Sequence, residues 1–185
     1  GACGEYGHAC YDATTDATVI ESWWATTPAA NVGIHCGPGT GFFVLDVDVK
    51  APELDKRRPD DTRLTGFEAI ALLESQHGSL PATLTQVTGS GGRQLFFRCP
   101  PGRALRNRVH MRLATGEKCG LDSRSEGGYI VAPPSVHPGG GVYAWLDEAA
   151  FILDAPPWLL DLIDPPRAEP APPGPSSAPS PSSSS

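Results

Sequence analysis

The segment Phe42-Phe43-Val44-Leu45-Asp46-Val47-Asp48-Val49 constrains this chain more than any other. Its apolar run suits a buried strand. Two carboxylates then interrupt the run at positions i and i+2. On a strand such positions share a face, so Asp46 and Asp48 converge. Anions this close repel each other and raise one pKa unless a cation lies between them. Hard divalent ions such as magnesium take oxygen ligands of this kind. The same spacing also describes two solvated aspartates at a strand end, and the segment alone leaves both readings open.

Two further segments carry chemistry. In Gly89-Ser90-Gly91-Gly92-Arg93-Gln94 the glycines let backbone N–H groups turn inward as an anion nest, and the Arg93 fork suits phosphate. A Gly-rich hairpin turn reads the same way. Gly120-Leu121-Asp122-Ser123-Arg124 offers a third carboxylate at Asp122, with Arg124 on the same face if the strand continues. His137, between Val136 and Pro138, reads as a structural loop residue.

Around these segments the elements alternate. The pattern predicts a helix from Asp16 to about Thr26 with Thr15 as N-cap, stopped by Pro28. Its apolar side holds Val19, Ile20, Trp23 and Trp24. A short strand at Val32 to His35, a Gly-Pro turn and the strand Phe42 to Val49 follow. A second helix is predicted from Gly66 to Gln76, packing Phe67, Ile70, Ala71 and Leu73, with Gly78 as its stop. Thr83 to Thr88 and Gln94 to Arg98 read as a hairpin. Leu121, Tyr129 to Ala132 and Val142 to Leu146 supply further strands. The sum is an α+β domain with a mainly antiparallel sheet flanked by helices.

Net charge is -7, yet its distribution is uneven. Between Gly91 and Arg124 lie Arg93, Arg98, Arg103, Arg106, Arg108, Arg112, Lys118 and Arg124, opposed only by Glu117 and Asp122. Screening confines the field of such a strip to about 10 Å, so an acidic protein can still bind phosphates through it. The five cysteines (Cys3, Cys10, Cys36, Cys99 and Cys119) form no C-x-x-C pair, and their pattern favours reduced thiols in a cytoplasmic chain. Cys3, His8 and Cys10 make at most half of a zinc site. No apolar run reaches the roughly 18 residues of a membrane helix. The first residue is Gly1, and the start reads as a truncated or processed end rather than a signal peptide. Residues 165 to 185 hold eight prolines and seven serines, a composition that cannot bury enough apolar surface to offset ordering entropy. The expected organisation is one N-terminally truncated catalytic domain over residues 1–164 and a disordered tail or linker over 165–185.

Seven pieces occur in order: Asp12-Ala13-Thr14-Thr15-Asp16, Trp23-Trp24, Asn31-Val32-Gly33-Ile34, Asp46 with Asp48, Gly89 to Phe97, Asp122, and Pro133-Pro134-Ser135. Together they resemble the bifunctional primase-polymerase domain of the archaeo-eukaryotic primase superfamily, found in plasmid, phage and actinobacterial replication proteins. The resemblance runs from about Asp12 to Ile163. It implies a primase-polymerase fold with an RRM-like sheet core. It implies two magnesium or manganese ions on Asp46, Asp48 and Asp122, with the nucleotide held by Ser90, Gly91, Gly92, Arg93, Gln94 and Arg124. The function it implies is primer synthesis and strand extension on single-stranded DNA from nucleoside triphosphates, with a helicase domain or partner beyond the linker. Relatives usually carry a histidine where this chain has Gln94, and glutamine cannot become cationic. The resemblance therefore also fits an impaired module that only binds nucleotide or single-stranded DNA. A metal-dependent nuclease would use the carboxylates but explains the Gly-rich segment poorly.

Overall fold

A computed structural model describes residues 9–53 and 62–165. The Cys3 and His8 reading, the start of the chain and the tail beyond residue 165 lie outside the described residues. Phe42–Val47 forms β2, and Phe43, Val44 and Leu45 are all fully buried. Burial on both faces is what the uninterrupted apolar run requires. The other strands are β1 (Val32–His35), β3 (Arg63–Leu64), β4 (Thr85–Val87), β5 (Arg93–Arg98), β6 (Lys118–Cys119), β7 (Leu121–Arg124), β8 (Tyr129–Ala132) and β9 (Ala144–Trp145). The helices are α1 (Ala17–Thr26), α2 (Gly66–His77) and α3 (Pro157–Ile163).

The main sheet has five strands in the order β7-β2-β5-β4-β9, with every pairing antiparallel. β1 and β8 form a separate antiparallel ribbon, and β3 pairs with β6 in parallel. One face of the main sheet packs Phe43, Leu45, Val47, Phe97 and Leu121 against α2 and α3 through Ala69, Leu73, Leu159 and Ile163. On the opposite face Val44 and Phe96 pack against Cys36, Ile130 and Ala132 of the ribbon region. Aromatic contacts tie strands together on both faces: Phe43 stacks on Phe97 at 5.6 Å, and Phe96 meets Trp145 at 5.4 Å. β7 stands last in the order, yet its outer rim is paired. Arg108 and Ser123 exchange backbone hydrogen bonds, and Met111 N–H donates to Leu121 O.

Several local expectations shift. Asp16, not Thr15, caps α1, because its carboxylate accepts from Thr18 and Val19 N–H. No residue of α1 is buried, so its tryptophans only half-cover the domain. In α2 the inward residue is Ala69 rather than Ala71, which fits the i, i+4 spacing to Leu73. That helix starts on a reciprocal Thr65–Glu68 capping box. β2 ends at Val47 because the next pair is only half made: Asp48 N–H still donates to Gly120 O, but Asp48 O accepts from Gly66 N–H and Gly120 N–H donates to Leu64 O. The helix α3 was not anticipated. Its short span Pro-Trp-Leu-Leu-Asp-Leu-Ile opens on Pro157, directly after Pro156, and proline is favoured at the first helical position. Arg103 fastens α3 by donating to Leu160 O, Asp161 and Asp164. Among the described residues the four cysteines are free thiols, and no helix is long and apolar enough to cross a membrane.

Candidate active site

Strand register assembles the site. Asp122, Asp46, Gln94 and Gln86 are successive cross-strand partners across β7, β2, β5 and β4. Cross-strand partners share a face. A polar row therefore crosses the sheet one step from the apolar row of Val44 and Phe96 on that face. Asp48 follows two residues beyond Asp46 and is held by its backbone. Its N–H donates to Gly120 O at 2.9 Å, and its carbonyl accepts from Gly66 N–H at 2.8 Å. Both glycines are needed for this approach. A Cβ on Gly66 would lie 2.6 Å from Asp48 N, and one on Gly120 would lie 2.6 Å from Lys50 O.

Between the ribbon and the polar row lies a cleft of about 390 Å³, lined by Asp46, Gln94, Asn107, Arg124, Tyr129 and Tyr143 among others. Burial is the main reason that the Asp46 carboxyl is pushed up to about 6; the charges of Asp48 and Asp122 add to this, while the Gln94 hydrogen bond and Arg124 oppose it. Asp48 is raised too, first by burial and then by Asp122. Asp122, 5% exposed, has both oxygens engaged: one accepts from His110 N–H at 2.7 Å, the other from Arg124 at 2.8 Å.

Three carboxylates on one face, two of them made reluctant to ionise, form an oxygen donor set short of positive charge. That chemistry fits a hard divalent cation. Among the described residues no three His, Cys, Asp or Glu side chains already stand as a metal cage.

The other expected residues divide. Gln94 and Arg124 reach the cleft. Gln94 donates to Asp46 Oδ2 at 3.0 Å. Ser90, Gly91 and Gly92 form the β4–β5 turn, where Thr88 and Ser90 hydroxyls meet at 3.0 Å and Gly92 packs on Val47 O. Gly91 has φ of 90°, which favours glycine. Arg93 lies on the opposite face of the sheet, its guanidinium 5.8 Å from the Phe67 ring centroid. Strand alternation requires this separation from Gln94. His137 accepts from Gly139 N–H at 3.0 Å within its own loop.

Sequence reading missed Gln86, Asn107, His110, Tyr129 and Tyr143. Only Gln86 carried a usable signal, because the expected hairpin sets it opposite Gln94. Asn107 reaches the cleft through a loop that bonds Ser125 N–H and Glu126 O. His110 owes its place to a backbone φ of 50°, which no pattern announces.

No curated protein matches the chain. Residues 6–158 match the family model described as "Bifunctional DNA primase/polymerase, N-terminal", whose members carry out primase and polymerase nucleotidyl transfer. That match spans most of the chain and the whole carboxylate row, and the chain belongs to this family.

Proposed function

We propose that this domain is a DNA primase/polymerase that joins nucleotides on a single-stranded DNA template during replication of a plasmid, phage or mobile element. The observation that carries the reading is the pairing of Asp46 with Asp122 across β2 and β7, with Asp48 two residues beyond Asp46 and the carboxyls of Asp46 and Asp48 both pushed up by burial and by neighbouring carboxylates. Asp46, Asp48 and Asp122 would hold magnesium or manganese, which when bound would supply positive charge to polarise an attacking 3'-hydroxyl and steady a leaving pyrophosphate. Arg124, on the same face, is suited to meet triphosphate oxygens, and the β4–β5 turn adds backbone N–H groups at the same end of the sheet as Asp48. Tyr129 and Tyr143 give the cleft aromatic walls for a base or sugar. The acidic surface elsewhere, the reduced thiols and the Pro/Ser composition of 165–185 suit a cytoplasmic domain tethered to a helicase. A second reading, a binding module without turnover, draws support from the engagement of Gln94 and Asp122 by neighbouring side chains.

A primer-synthesis assay separates the two readings. Labelled nucleotides, single-stranded DNA and magnesium or manganese are expected to give products, and none would form from a binding module. The template path is expected to follow Arg106 and Arg108, which flank cleft-lining Asn107 and form no ion pair among the described residues. Arg103 is committed to α3 and serves as the contrast. Neutralising Arg106 and Arg108 together should lower the slope of log affinity against log salt by about 1.4, at about 0.7 per single-strand phosphate. An unchanged slope would place the template elsewhere.

A further inference from the structure

Gln86 is a glutamine with no exposed surface, set in the middle of a strand and outside the cleft lining. Its Nε2 donates to Val131 O of β8 at 2.7 Å and also to Gln94 Oε1. The Nε2 of Gln94 then donates to Asp46 Oδ2 at 3.0 Å. The direction of this chain has one solution. A backbone carbonyl only accepts, and an ionised carboxylate only accepts. Two acceptors at the ends force the first amide to spend both hydrogens on Val131 and Gln94. The second amide must then present its oxygen to Gln86 and its hydrogens to Asp46. Reversing either amide would set oxygen against oxygen. The arrangement also leaves Gln86 Oε1 buried with no partner, a cost that packing alone does not explain.

We infer that Gln86 is a positioning residue that locks the Gln94 amide onto Asp46, so that Gln94 orients a carboxylate rather than contacting the triphosphate. This rests on the reading of Asp46 as a metal ligand. A partner that fixes a ligand's orientation usually contributes about 10- to 100-fold to metal affinity. Gln94 is such a partner of Asp46, and Gln86 acts through it. The chain spans β8, β4, β5 and β2, so it also joins the ribbon to the carboxylate row.

The test uses the whole metal-free chain with labelled glutamine side chains and Mn²⁺ alone as the metal probe. In the wild type, the Gln94 amide protons are expected to exchange slowly and to lie away from free-glutamine positions. Gln86→Met, close in shape and without donors, should return them toward free values in a protein whose near-ultraviolet dichroism remains native. Mn²⁺ affinity should fall about tenfold in Gln86→Met and in Gln94→Met, and no further in the double variant, since one unit has been broken. In incorporation assays kcat should fall while nucleotide KM stays within about twofold. Unchanged Gln94 protons, multiplying losses of Mn²⁺ affinity, or a rise in KM alone would each overturn the inference. Should Gln86→Met fail to fold, Gln86→Glu replaces it. Its carboxylate draws the Gln94 hydrogens to itself, so wild-type Mn²⁺ affinity there would overturn the inference equally. A wild type that binds no Mn²⁺ defeats the metal reading, while the Gln94 protons still decide the role of Gln86.

Discussion

Asp46→Asn is expected to abolish nucleotide incorporation and to make the metal-free domain more stable above pH 6. Loss of a metal-holding carboxylate should cost at least about a thousandfold in rate, or about 4 kcal/mol of barrier. The stability effect follows from the carboxyl's raised pKa of about 6 against 3.8 for an unperturbed aspartate. Between those values the folded state keeps a proton that the unfolded chain has released. Stability from this group therefore declines as pH rises from about 4 to 6, and the full cost persists above. The interval corresponds to about 3 kcal/mol at 1.36 kcal/mol per unit. Asparagine removes the charge and can still accept from Gln94. Urea unfolding at pH 5 and pH 8 in chelator, with wild type and variant side by side, measures the difference. Equal stability of the two proteins at pH 8 would show that the carboxylate is well solvated in the fold. Divalent metal should reverse the ranking, because it stabilises only the wild-type cluster.

Arg124→Leu is the second large effect and has the opposite sign. Asp122 has 6% of its side chain exposed and Arg124 31%, so the guanidinium is the main counter-charge of a buried anion. Removing one partner of such a pair costs about 3 kcal/mol, the low end of the usual range because Arg124 is partly in water. The variant should unfold at lower urea and lose most of its nucleotide affinity. Adding Asp122→Asn should restore stability, since no buried charge is then left alone, and should leave incorporation absent. An Arg124→Leu protein that unfolds at the wild-type urea concentration would mean that His110 N–H suffices for Asp122.

The parts of the molecule set by local rules were legible in the sequence. The strand around Val44, the helix from Gly66 and the hairpin ending at Arg98 each follow from periodicity and turn chemistry. Asp46 and Asp48 could be placed on one face by strand parity alone. The adjacency of Asp122 needed the resemblance, because parity does not tell which strand lies beside which. Parity does explain why Arg93 stands behind the sheet when Gln94 stands before it. Tyr143 and Asn107 lay beyond reach, since loops that cross long stretches of sequence bring them to the cleft. The absence of a buried residue in α1 was equally hidden, because two adjacent tryptophans read as core from composition.

The rims of the main sheet bear on how this domain behaves in company. On the β7 side, residues 108 and 111 already fill the hydrogen-bonding sites that a foreign strand would need. On the other side β9 is only two residues long. An open, lengthy rim is what lets one molecule template another into fibres or swapped dimers. Among the described residues this sheet gives a neighbour almost nothing to extend, so copies at high concentration can sit side by side without fusing their backbones.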